Sequence, residues 1–122
     1  MGIMKILSRT LGVATLLAAS SFVASAAQVT GILMDKMCSA SAATKGQSFA
    51  MAHDTKCALE PPCLKSGYGV FTADNKFIML DKAGNAKAVA ALKATTKVDH
   101  LMVTVDGDVT GDMIKVSSLK LD

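Results

Sequence analysis

Aromatic residues are scarce in this sequence: its 122 residues include no tryptophan, one tyrosine and four phenylalanines. Proteins that bind single strands or similar oligomers stack successive units on aromatic side chains. Here Tyr68, Phe71 and Phe77 are few and alternate in face, so the sequence offers no stacking platform. Oligonucleotide and oligosaccharide binding are therefore not expected functions.

The familiar catalytic motifs are also missing. The sequence contains no GxSxG, HExxH or phosphate-binding loop, and no CxxC pair of the kind found in thiol oxidoreductases. A haem-attachment CxxCH is absent as well. Asp106, Asp108 and Asp112 lie close together, but they do not match a calcium-binding loop, and a solvated turn is expected there. The sequence leaves enzymatic activity undecided but favours a non-enzymatic protein, and no catalytic residue is assigned.

No apolar run is long enough to cross a bilayer, which requires about 20 residues. The longest stands near the N-terminus, at residues 11–19, after the basic Lys5 and Arg9 and before the small residues at 24–27. This order is typical of a secretory signal peptide with cleavage before Ala27. We therefore predict a signal peptide over residues 1–26 and one domain over residues 27–122. That domain is expected in the periplasm or the secreted fraction, with no transmembrane segment after cleavage.

The predicted mature chain has almost no net charge. Removal of Lys5 and Arg9 leaves 11 of the 13 basic residues against 10 acidic ones, for a net charge of about +1. Nucleic-acid-binding domains usually carry a basic patch on a strongly basic domain. Nucleic acid is therefore not an expected partner.

The alternation of apolar residues predicts a small all-β domain with one or two short helices. Five segments have strand character, and a helix with Asn85 as its N-cap is predicted over residues 86–94. A change in apolar parity near Ser117 and Ser118 indicates a β-bulge. Five strands with a helix between the third and the fourth is the order of an OB-fold barrel. The predicted strands are residues 28–35, 68–72, 76–80, 100–106 and 113–121.

Three short motifs carry a family resemblance. Residues 29–31 read VTG near the predicted cleavage site, and residues 103–107 and 111–116 read VTVDG and GDMIKV. In these motifs the chain resembles the small exported bacterial proteins that have OB-like domains. The resemblance implies an OB-like fold and a location in the cell envelope. It implies no activity.

Residues 37–67 depart from that plain pattern. This segment contains all three cysteines, both prolines and His53. Residues 47–59 are predicted to form a helix that ends before Pro61, because the residue preceding a proline is disfavoured in a helix. On such a helix His53 and Cys57, four residues apart, would share one face. We therefore predict an insertion between strands one and two of the barrel.

The three cysteines and His53 of this insertion are expected to converge, held together either by a metal ion or by a disulfide. Three thiolates and an imidazole suit tetrahedral zinc, while thiolates with the nearby Met37 and Met51 would suit copper(I). Alternatively, two cysteines form a disulfide staple, as in many small exported proteins. The third cysteine would then be buried or would link two chains as a dimer. The candidate metal ligands are Cys38, His53, Cys57 and Cys63.

These observations predict a non-enzymatic binding module of the envelope, with an unidentified ligand and a loop that is either stapled or metal-binding. The loop between strands one and two of an OB-fold commonly faces ligand. The alternative is a small thiol-dependent or metal-dependent periplasmic enzyme, or a redox protein. In the enzyme, one of the cysteines would be the nucleophile and His53 its base.

Overall fold

The structure, a computed structural model, describes residues 26–122. The predicted signal peptide, apart from Ala26, lies outside the described residues. Among them, no helix is long and apolar enough to span a membrane. The strands are β1 (Ala26–Asp35), β2 (Tyr68–Phe71), β3 (Phe77–Leu80), β4 (Met102–Thr110) and β5 (Met113–Leu121). The helices are α1 (Lys36–Lys45), α2 (Gln47–Ala52), α3 (Thr55–Ala58), α4 (Pro61–Ser66) and α5 (Lys82–Ala94).

The five strands of the described residues form a closed barrel in the order β1-β2-β3-β5-β4, in which β1 also pairs with β4. All neighbouring strands are antiparallel except β3 and β5, which are parallel. This arrangement confirms the predicted OB-fold-like barrel. The predicted bulge is also present: Asp106 pairs with Ser118 and Gly107 with Val116, which makes Ser117 the extra residue of β5.

The barrel is filled by alternating side chains, and one helix covers part of it. Val103 and Val105 of β4, and Leu101 just before it, point into the barrel, and all three are fully buried. Helix α5 packs against β5 through Gly84, Ala88 and Leu92, its buried residues, which recur every four positions. A side chain at Gly84 would collide with Val116 and Leu80, so the start of α5 can approach the barrel closely only with glycine there.

The end of β1 is buried on both faces. Leu33 faces the barrel core, whereas Ile32 and Met34 belong to a second apolar cluster with Ala42 of α1 and Ala50 of α2. The apolar run ILM therefore reflects a strand with the barrel on one side and two helices on the other. This packing places the helical segment between β1 and β2 against the outside of the barrel.

Several predicted boundaries were wrong. Helix α5 begins at Lys82 rather than Ala86, because the N-cap is Asp81 and not Asn85. Asn85 instead accepts a hydrogen bond from the Tyr68 backbone N–H at 2.6 Å and donates to the carbonyl of Leu80. Strand β4 covers Met102–Thr110 rather than residues 100–106, and β1, β2 and β3 each differ from the prediction by one or two residues at one end.

The predicted helix over residues 47–59 was also wrong. The chain leaves the helical conformation at His53 (ψ 124°) and at Asp54 (ψ 158°), so α2 and α3 are separate helices. The Asp54 side chain accepts a hydrogen bond from the Cys57 N–H at 2.6 Å and begins a new helix, the usual function of an N-cap aspartate. His53 and Cys57 therefore do not lie on one helix face. The two prolines do follow a helix end, as predicted, but they also occupy the first turn of α4, where a missing N–H is harmless.

Candidate metal centre

Asp35 stands at the centre of the site. It is the last residue of β1 and the N-cap of α1, and its side chain is fully buried. One carboxylate oxygen, Oδ2, accepts the Cys38 backbone N–H at 2.9 Å. The other, Oδ1, lies 2.8 Å from His53 Nε2. A buried carboxylate is costly unless it is paired, and here the helix cap and the imidazole pair it.

His53 reaches Asp35 because the chain breaks between α2 and α3. The extended backbone at His53 directs the ring inward, and the residue is only 8% exposed. A neighbouring loop holds this break on both sides: the Thr55 N–H donates to the Val98 carbonyl at 2.8 Å, and the His100 N–H to the Met51 carbonyl at 2.9 Å. The interruption that the sequence did not predict is thus what positions the imidazole.

Cys38 completes a group of three possible metal ligands. It lies in the first turn of α1, where its own N–H is the capped donor, so the same carboxylate fixes its place. One ligand atom each from Asp35, Cys38 and His53 lies within 4.8 Å of the other two. Asp35 and His53 are buried and Cys38 is half-buried. This cluster of three residues, hereafter the triad, has the composition and compactness of a metal site.

The other two cysteines differ in exposure. Cys63 on α4 is buried, at 5% exposure, and its thiol lies near Cys38 and Asp35, both of which affect its pKa. Cys57 on α3 is exposed. It lines an open cleft of about 270 Å³ whose wall also includes Cys38 and His53. Cys63 thus lies beside the triad within the protein, and Cys57 at its solvent side.

The electrostatics of the site keep protons on the thiols and off the carboxylate. Burial and the negative charge of Asp35 raise the pKa of Cys38 to about 12. Burial, with the same charge, also raises the pKa of Cys63, and the hydrogen bond to Asp54 raises that of Cys57. Burial opposes ionisation of Asp35, but the hydrogen bonds from His53 and the Cys38 N–H outweigh it and lower its pKa. The site therefore holds a carboxylate beside protonated thiols.

A carboxylate, an imidazole and one or two sulfurs can serve two kinds of chemistry. Bound to a metal ion, the thiols would lose their protons, because a coordinated thiol is deprotonated outright. Alternatively, Asp35 could orient His53 as the base for a cysteine nucleophile. The raised pKa values of all three thiols do not favour the second use, since reactive cysteines have depressed pKa values.

The structure brings together part of the predicted ligand set and adds one residue to it. Cys38 and His53 meet, and Cys63 lies beside Cys38. Cys57 is near the same cleft but outside the triad. Asp35 was missed because it ends an apolar run and was assigned to the strand alone. A single acidic residue between that run and the cysteine segment was the signal that could have identified it.

The three cysteines, all within the described residues, are present as thiols. The predicted disulfide staple is therefore not formed in this structure, and the disulfide-linked dimer stays a prediction. Comparison of the chain with protein-family profiles, with curated proteins and with solved structures gives no match.

Proposed function

We propose that this protein is a non-enzymatic, metal-binding module of the cell envelope, and that its triad of Asp35, Cys38 and His53 holds a transition metal ion. The observation that carries the proposal is the convergence of three different ligand types within 4.8 Å at a buried position. An exposed acidic cluster would carry much less weight, because such groups are common without a metal. Here the carboxylate of Asp35 is fully buried, and its two oxygens pair with the Cys38 backbone N–H and the His53 imidazole.

Zinc is the ion that best suits these donors. Zinc accepts sulfur, imidazole nitrogen and carboxylate oxygen in a tetrahedral arrangement, whereas copper(I) prefers sulfur ligands. Of the two methionines considered for copper, Met37 is 59% exposed, and neither belongs to the triad. Cys63 lies outside the triad, but its buried thiol is near Cys38 and Asp35 and could supply a fourth ligand.

The envelope location rests on the sequence of residues 1–27, with its basic start, apolar run and small-residue cleavage site. Outside the cytoplasm, neighbouring thiols such as Cys38 and Cys63 tend to oxidise. Metal binding and disulfide formation therefore compete for the same two sulfurs. These two thiols lie close enough to affect each other's pKa, which makes a Cys38–Cys63 disulfide the second candidate, with the segment stapled rather than metal-binding.

Elemental analysis combined with thiol counting separates these possibilities. The exported protein is purified without chelators, and its metal content is compared with that of Cys38→Ser, His53→Ala and His100→Ala. His100 is the matched control, because it also contacts an aspartate at 2.8 Å, but at an exposed position. We expect about one zinc ion per chain in the unmodified protein and in the control, and loss of zinc from the other two variants.

If the purified protein contains no metal and has one free thiol per chain, the result would support the disulfide staple instead of the metal site. Retention of zinc by His53→Ala would contradict the proposed ligand set.

A further inference from the structure

Cys57 lies where a metal ion would enter or leave the proposed centre. The cleft of about 270 Å³ opens beside the triad, and Cys38, His53 and Cys57 all line it. Among these three, His53 is buried, Cys38 is half-buried and Cys57 is exposed. The cleft thus presents a series of ligands of decreasing exposure, from solvent inward.

The position of Cys57 is fixed rather than incidental. It sits on the four-residue helix α3, whose N-cap Asp54 also lines the cleft. The Asp54 carboxylate accepts the Cys57 backbone N–H at 2.6 Å, which fixes Cys57 at the start of α3 beside this carboxylate. The mouth of the cleft therefore carries a sulfur and a carboxylate oxygen side by side, both of which are zinc ligands.

We propose that Cys57 is the exchange ligand of this centre: it takes a zinc ion at the mouth of the cleft and passes it to Cys38 and His53, and it serves the reverse step when the ion leaves. This inference rests on the proposed metal-binding function and deepens it. The ion is then a cargo in exchange with an external acceptor, rather than a permanent structural element.

The step is a ligand exchange without oxidation or reduction. As the zinc–sulfur bond to Cys57 forms, its thiol proton passes to water. As the ion moves inward, the Cys38 sulfur binds zinc and releases its proton, the bond to Cys57 breaks, and Cys57 takes a proton back from water. Zinc can accept a fifth ligand for a short time, so the incoming bond can form before the outgoing bond breaks.

The buried ligands alone give an external acceptor little access. Asp35 is fully buried, and its two oxygens face the α1 N-terminus and His53. The backbone on either side of His53 is fixed by hydrogen bonds that join Met51 and Thr55 to the loop of residues 97–100. An acceptor therefore reaches the ion through the cleft, where Cys57 is the exposed sulfur.

The test compares Cys57→Ser with Lys56→Ala. Lys56 is the exposed neighbour of Cys57 on α3 and does not line the cleft. Zinc-loaded full-length protein is mixed with the chromogenic chelator 4-(2-pyridylazo)resorcinol in a stopped-flow instrument, and the reverse reaction loads the metal-free protein. We expect transfer in both directions to be about tenfold slower in Cys57→Ser, the lower end of the effect of losing a residue beside a metal site. Lys56→Ala should match the unmodified protein.

Equilibrium measurements on the same variants distinguish an exchange ligand from a resident one. The zinc content of Cys57→Ser and the sulfur-to-metal absorption of its cobalt(II) form should equal those of the unmodified protein. Unchanged transfer rates in Cys57→Ser would overturn the exchange role and leave the metal site intact. Loss of bound zinc or of the cobalt absorption would also overturn it, by making Cys57 a resident ligand. Failure of the unmodified protein to bind zinc would instead reject the proposed function itself.

Discussion

Two junctions in this protein have almost the same sequence and different uses. Strand β1 passes into α1 through Met-Asp-Lys at residues 34–36, and β3 passes into α5 through Leu-Asp-Lys at residues 80–82. In each, the aspartate is the N-cap and accepts the N–H three residues later at 2.9 Å. An aspartate at this position satisfies a helix donor that would otherwise lack a partner.

The junctions differ in what lies opposite the aspartate. At Asp81 the capping oxygen, Oδ1, also accepts the Val116 N–H at 3.2 Å, so its two bonds join the helix to β5. At Asp35 the two carboxylate oxygens have different partners: Oδ2 caps the helix, and Oδ1 faces His53. A capped strand end thus becomes a candidate metal site when its second oxygen is buried against an imidazole and a thiol.

Replacement of Asp35 should have the largest effect of any change at these junctions. Asp35→Ala removes the cap, which costs about 1 kcal/mol, and leaves the buried His53 without its hydrogen-bond partner, which costs about 1–3 kcal/mol more. The free energy of unfolding in urea, followed by circular dichroism without metal, measures this cost. A loss no larger than that of Asp81→Ala would show that the two junctions are equivalent.

Asp35→Asn separates capping from metal binding. Asparagine caps helices about as well as aspartate, so this variant should retain more stability than Asp35→Ala. It should nevertheless lose bound zinc, because it lacks the carboxylate. Metal content measured beside the unfolding curve checks both expectations, and zinc retained by the folded variant would remove Asp35 from the ligand set.

Tyr68 links the two junctions, and its hydroxyl should matter less than Asp35. It pairs with Asp35 across the sheet, its N–H donates to Asn85 of α5, and its buried hydroxyl donates to the Ala58 carbonyl at 2.6 Å. Tyr68→Phe leaves that carbonyl without its partner, which costs about 1–3 kcal/mol. Urea unfolding at neutral pH gives the difference, and no loss would mean that the hydroxyl does not fasten α3 to the barrel.

The difference in stability between the unmodified protein and Tyr68→Phe should depend on pH in alkaline solution. Burial and the charge of Asp35 raise the pKa of Tyr68 to about 12, whereas an unfolded tyrosine titrates near pH 10, about the reference value. The contribution of Tyr68 is therefore complete below about pH 10 and declines as the pH rises toward 12. The stability gap between the unmodified protein and Tyr68→Phe should narrow over that range, and a constant gap would contradict the assignment.

Asp81→Ala should have the smallest effect of these changes. Loss of an N-cap aspartate costs about 1 kcal/mol, and the position is only partly buried. Zinc content should be unchanged, because this junction lies outside the triad. A loss of zinc equal to that of Asp35→Ala would show that any damage to the barrel empties the site.

The sequence predicted the barrel well because strand patterns are local. Alternation in β4, the hairpin of β2 and β3, and the parity change at Ser117 each depend on a few neighbouring residues. The candidate site depended on features that are not local. The break at His53 is held by a loop more than forty residues away, and no periodicity in residues 47–59 reveals that contact. Helix α1 was missed because its alanines and serines present no clear apolar stripe.

Closure of the barrel by β1 and β4 also constrains the order of folding. Ile32 pairs with Met102, and the Leu33 N–H donates to the Leu101 carbonyl at 2.8 Å, so these contacts join distant parts of the chain. Domains with such high contact order typically fold in milliseconds to seconds rather than microseconds. Asp35 ends the strand that takes part in this closure, and His53 is held by the loop that precedes β4. The triad therefore depends on contacts between distant parts of the chain, and we expect zinc binding at the proposed site to report the last step of folding.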